Sequence, residues 1–106
     1  MDFDGAKNHI LSRLTESLSP NLFYHCVAHT KSVWESAVRL ARMENLPENQ
    51  LKILETAALF HDSGMLIQYH DHETNSVQLS REILPEYGYT LTEIDAVGEL
   101  ILTTRL

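Results

Sequence analysis

The chain has little with which to cross-link, anchor or export itself. Its one cysteine, Cys26, cannot form an internal disulfide, and the start Met1-Asp2-Phe3-Asp4 lacks the basic stretch and long apolar run of a secretory signal. A reducing, cytoplasmic setting is therefore expected. Long apolar runs are missing too: the longest, Ala57 to Phe60, is far short of the roughly 20 residues a helix needs to cross a bilayer. Positive charge is scarce, with 8 basic residues against 15 acidic ones and a net charge of -7, so the long-range field repels a polyphosphate backbone. Duplex nucleic acid and membranes are accordingly not expected as partners. A small anion is still compatible, because a bound dication reverses the field locally.

Strand-like alternation beyond a few residues, internal repeats, charge blocks and low-complexity linkers are also absent. What remains is 106 residues, 43% apolar and 22% charged, the balance of one ordinary globular domain with no room for a second folded unit. The expected boundaries are residues 1–106 as a single domain.

The apolar spacing is helical throughout. Ile10, Leu11, Leu14 and Leu18 recur at three- and four-residue intervals in a helix from Ala6 to Leu18, stopped by Ser19-Pro20-Asn21. A second helix begins between Leu22 and His25 and runs to about Asn45, with Val33, Trp34, Ala37, Val38, Leu40 and Ala41 as a broad apolar stripe. Pro47 suits the first turn of a third helix, where its missing N–H costs nothing, and Leu51, Leu54, Ala57, Ala58 and Phe60 carry that helix to Gly64. A fourth spans Glu73 to Leu84 and is closed by Pro85 and Gly88. Thr90-Leu91-Thr92-Glu93 has the form of a capping box and opens a fifth through Ile94, Val97, Leu100 and Ile101. The fold class is all-α, with about five helices.

Six histidines exceed what packing requires, and five lie between His25 and His72. The pair His61-Asp62 ends the apolar run Ala57-Ala58-Leu59-Phe60, which places two metal-competent side chains where burial is costly without a partner. Imidazole nitrogen with carboxylate oxygen suits Mn, Fe, Zn or Mg, provided other segments complete the shell. Alternatively, the carboxylate merely orients the imidazole at a helix end. Residues His70, Asp71 and His72 could equally form a solvated loop. His9, on a polar part of the first helix, is expected to be exposed and idle, Cys26 to be a small buried side chain, and Trp34 and Tyr24 to be core or groove wall.

Three segments in order, Tyr24-His25-Cys26-Val27-Ala28-His29, His61-Asp62-Ser63-Gly64 and His72-Glu73-Thr74-Asn75-Ser76, followed by Ser80 to Gly88, resemble the HD superfamily of metal-dependent phosphohydrolases. The similarity extends from about Tyr24 to Thr104. It implies that His29, His61 and Asp62 ligate a divalent metal, Asp62 being able to bridge to a second ion. It also implies that His25, one turn before His29, is the general acid, and that His72 and Glu73 orient water or serve a second ion. Water activated by the metal would be the nucleophile and a small phosphoester or nucleotide the substrate. The family closes its metal shell with an aspartate in a later helix; Asp95 precedes that region and substitutes poorly. The resemblance thus implies an HD-like bundle lacking its C-terminal helices, whose uncovered apolar seam would permit a homodimer. Two alternatives stay open: an inactive HD-type regulatory or interaction module, and a helical domain with incidental histidines.

Overall fold

A computed structural model describes residues 1–17, 20–66 and 72–103, with side chains apart from those of residues 20–27, 65 and 66. Its described residues form five α-helices, α1 (Phe3–Ser17), α2 (Pro20–Met43), α3 (Glu48–Phe60), α4 (His72–Ile83) and α5 (Leu91–Thr103), with 3₁₀ turns at Ser63–Leu66 and Leu84–Tyr87. No described segment is a strand.

The helix ends follow local chemistry. Asp2 caps α1 by accepting the Gly5 N–H at 2.9 Å. Pro20, expected only to stop the preceding helix, also opens α2, since its fixed φ is already helical. That helix closes on Asn45, held at φ 55°, where the Leu46 N–H donates to Ala41 O at 3.0 Å and the Asn45 N–H to Arg42 O at 3.2 Å. This is a Schellman closure, and asparagine tolerates its left-handed residue better than most side chains. Gly88 (φ 79°) closes the second 3₁₀ turn in the same manner. The capping box at α5 is present: the Thr90 N–H donates to Glu93 at 2.8 Å and the Glu93 N–H to the Thr90 hydroxyl at 3.2 Å.

The α3 helix is central. Every residue from Glu55 to Phe60 is buried, as are Leu51 and Ile53, so the helix is covered nearly all round by its neighbours. Against it, α1 buries Phe3, Ala6, Ile10 and Leu14, and α5 buries Ile94, Val97, Gly98 and Ile101. Small residues let α4 approach closely: it buries Ser76 and Ser80 beside Leu79 and Ile83. The fully buried Phe60, Ile10, Leu14, Leu84 and Ile101 each contribute about 1.5–3 kcal/mol of burial free energy.

Two expectations need correction. The apolar stripe of α2 is only partly used: Ala41 is buried, but Val33, Trp34, Ala37 and Val38 are half-buried and Leu40 is 60% exposed. Hydrophobic periodicity reports which face could be buried, and here the packed seam is narrower than the stripe. His9 is not idle either. Its Nδ1 lies 2.7 Å from the Tyr87 hydroxyl, with the rings edge to face at 5.6 Å, and together with the Asp2 N–H to Tyr87 O bond at 2.7 Å it fastens α1 to the turn before α5. Nothing in sequence spacing connects residues 78 positions apart. Among the described residues, no helix is long and apolar enough to cross a membrane.

Candidate metal centre

The end of α3 delivers His61 and Asp62 into the interior, where they are 4% and 8% exposed. A helix leaves its last carbonyls without intrahelical donors. Here side chains supply them: His61 Nδ1 sits 2.6 Å from Ala58 O, and the Ser63 hydroxyl donates to Phe60 O at 2.7 Å. The helix therefore stops at Phe60, short of Gly64, and a 3₁₀ turn follows at Ser63–Leu66. Gly64 is not the terminator it resembles in sequence. A Cβ there would strike the His72 carbonyl oxygen and come within 2.6 Å of the Ser76 backbone nitrogen, so glycine is required for the α4 backbone to lie against this turn.

Around Asp62 the histidines converge from three helices. His29, on α2, places Nε2 3.4 Å from Asp62 Oδ2; His61 places Nε2 3.1 Å from the same oxygen; His72, the first residue of α4, places Nε2 3.1 Å from Oδ1. The two carboxylate oxygens are thus divided between a His29–His61 side and a His72 side. Glu73 lies beside His72, at 3.7 Å. His29, His61 and Asp62 each offer one ligand atom, all within 4.8 Å of one another. Donors about 2.1 Å from a common ion are separated by roughly 3.0–4.2 Å in tetrahedral or octahedral shells; the two histidine-to-carboxylate spacings, 3.4 and 3.1 Å, lie in that range.

The tautomer of His61 sharpens this. A carbonyl oxygen only accepts, so the short contact to Ala58 O places a proton on Nδ1. In the neutral ring, Nε2 then carries a lone pair that faces a carboxylate oxygen. This nitrogen is buried, lies 3.1 Å from Asp62 Oδ2, and has no partner in hydrogen-bonding geometry among the described residues. Two electron-rich atoms in such contact call for a cation between them, either a proton or a metal. Burial opposes a charge on His61, but the Asp62 carboxylate outweighs it and raises the imidazole pKa above its ordinary value near 6.5. Burial likewise pushes Asp62 upward, yet His61, His29 and His72 together hold its carboxyl below the usual range.

Of the other residues singled out in sequence, His25 lies on α2 one turn before His29, and its side chain, like those of Tyr24 and Cys26, falls outside the described residues. His70 and Asp71 also fall outside them, whereas His72 belongs to a helix and is half-buried rather than part of a solvated loop. Trp34 is half-buried against the core, with Lys7 Nζ 4.4 Å from its ring centre. Asp95 is remote from the cluster in role: it is exposed and paired with Arg81 at 2.9 Å. Sequence reasoning gave no role to Ser76, an α4 residue whose hydroxyl bonds to the turn after α3. A lone serine in a helix carries no such signal.

A family model for the HD domain matches residues 26–105. The chain belongs to the HD-domain family. An uncharacterized protein of Clostridium beijerinckii is 34% identical over 83 residues, covering 73% of this chain and 53% of that protein. The chain thus spans about half the length of this curated relative. No solved structure matches. Family membership makes the all-α bundle and the presence of a His/Asp group able to hold a divalent ion mutually consistent.

Proposed function

We propose that this HD domain is a metal-dependent phosphohydrolase acting on a small phosphoester or nucleotide, with water as the nucleophile and a cytoplasmic location. The observation that carries the proposal is the buried His61 Nε2, 3.1 Å from Asp62 Oδ2 and with no partner in hydrogen-bonding geometry among the described residues. His29, His61 and Asp62 would hold the ion, which could be Mn, Fe, Zn or Mg. When bound, a divalent ion supplies Lewis-acid polarisation of a phosphoryl oxygen and lowers the pKa of a water.

The chain's own residues would do the rest. The Ala58 carbonyl keeps the proton on His61 Nδ1 and so presents Nε2 as a ligand atom. His72 Nε2, beside Asp62 Oδ1, and Glu73 next to it would orient the attacking water or hold a second ion across the bridging carboxylate. His25 would protonate the leaving oxygen. Exposure of His29, whose side chain is 60% accessible, leaves one flank of the cluster open for a phosphate to enter.

Elemental analysis of protein purified without chelator, and again after adding Mn²⁺, tests the proposal beside His61→Ala. Near-stoichiometric metal lost in the variant, with metal-dependent release of phosphate from p-nitrophenyl phosphate or nucleotides, is the expected result. Metal binding without turnover would favour a second reading, an HD-type regulatory or interaction module. In either reading Asp95 stays exposed and paired with Arg81 at 2.9 Å.

A further inference from the structure

Ser76 is fully buried, at 0% exposure. It accepts the Gly64 N–H at 2.7 Å and donates to the His61 carbonyl at 2.9 Å. One side chain thereby satisfies a donor and an acceptor that the end of α3 leaves unpaired, across 12 and 15 positions of sequence. The same contact fixes where α4 begins. Ser76 and His72 are four residues apart on that helix and share a face, so a hydroxyl bolted to the His61–Gly64 turn sets the depth and rotation at which His72 meets Asp62 Oδ1.

We propose that Ser76 is a positioning residue that locks the His61–Asp62 turn to the helix carrying His72 and Glu73, holding both halves of the cluster around the Asp62 carboxylate. Its effect on metal affinity rests on the metal-site reading above; its effect on the placement of His72 does not. Ser80 provides a matched comparison. It is also buried at 0% exposure on α4, one turn further on, but its hydroxyl donates only to Val77 O within its own helix, at 2.7 Å.

The experiment compares Ser76→Ala with Ser80→Ala in the whole chain. The first readout is the ¹⁵N-labelled imidazole spectrum of the metal-free protein at fixed pH, with His72 assigned through His72→Gln; the second is Mn²⁺ affinity by electron paramagnetic resonance. Ser76→Ala should shift the His72 resonances, speed exchange of the Gly64 amide about tenfold and weaken Mn²⁺ binding about tenfold, while Ser80→Ala leaves all three near wild type. Unmoved His72 resonances in folded Ser76→Ala, or equal shifts in Ser80→Ala, would overturn the proposal. Should Ser76→Ala fail to fold, the near-isosteric Ser76→Cys, a much weaker hydrogen-bonding group, takes its place under the same criteria. If wild-type protein binds no Mn²⁺, the phosphohydrolase reading falls, and the resonance comparison alone decides the role of Ser76.

Discussion

Replacing Gly64 with alanine adds a single methyl group, and the structure makes that methyl expensive. The new Cβ would overlap the His72 carbonyl oxygen, lie 2.6 Å from the Ser76 nitrogen and 2.8 Å from the Asn75 Cβ. Two of these three atoms are backbone in the first turns of α4, so no side-chain rotation relieves the clash. The helix itself must withdraw. Overpacking of this kind costs about 1–3 kcal/mol, and withdrawal also stretches the Gly64 N–H to Ser76 hydroxyl bond, for about 1 kcal/mol more. A total near 3 kcal/mol corresponds to a fall in melting temperature of roughly 15 °C for a domain of this size. Circular dichroism melts and urea titrations of metal-free Gly64→Ala measure it.

Gly98→Ala supplies the contrast, because it too faces α4. There the nearest atom to a new Cβ is Val77 Cγ1 at 3.3 Å, a side-chain methyl that needs to give only a few tenths of an ångström. Alanine in a helix interior gains up to about 1 kcal/mol over glycine. Gly98→Ala should therefore stay within about 1 kcal/mol of wild type. A Gly64→Ala protein that melts within 2–3 °C of wild type (~0.5 kcal/mol) would refute the proposed backbone contact between the turn and α4.

Other substitutions probe the remaining contacts. His61→Ala removes the one buried imidazole of the cluster among the described residues and should weaken Mn²⁺ binding by on the order of a hundredfold or more, read by equilibrium dialysis; a smaller loss would mean that His29 and Asp62 do not need it. Asp95→Ala breaks an exposed ion pair with Arg81, should change stability by about 0.5 kcal/mol or less, and should leave metal content unchanged; loss of metal would identify Asp95 as a ligand after all. The Thr56 hydroxyl donates to Lys52 O and so accepts from the Tyr89 hydroxyl at 2.7 Å, and Tyr89→Phe should cost about 1 kcal/mol in urea unfolding. Burial, together with the charges of Glu93, Asp2 and Glu55, raises the Tyr89 phenol above its ordinary value near 10. The native state thus holds that proton more tightly than the unfolded chain does. Stability from this group is complete below pH 10 and falls as pH rises through the unfolded value, a limb that Tyr89→Phe should flatten.

The helices were legible because each rule involved acts within a few residues. The Thr90–Glu93 box, Gly88 at a left-handed closure, and the three- and four-residue spacing of Ile10, Leu14, Ile94, Val97 and Ile101 are signals written along one turn of chain. Where a boundary was missed, side chains just beyond the helix end decided it, through contacts that apolar spacing does not report. The third helix stops at Phe60 because His61 and Ser63 turn back on its carbonyls, and the fourth starts at His72, one residue before the expected Glu73. The width of the α2 stripe was misjudged for a related reason: periodicity identifies an apolar face, while only packing determines how much of it is covered.

For the cluster, the division is sharper. His29, His61, Asp62, His72 and Glu73 could be singled out as residue types in a sequence pattern, but their chemistry depends on how two turns of backbone meet. Asp62 faces imidazoles on both of its oxygens only because α4 lies against the turn at Gly64, and it can do so only because residue 64 has no side chain and residue 76 has a hydroxyl of the right reach. Glycine and serine at those positions look like a helix stop and a neutral helix residue when taken alone. Together they convert three separated segments into one carboxylate-centred cluster, so a substitution at either, with every histidine intact, should disturb the geometry of that cluster as surely as the loss of one of its histidines.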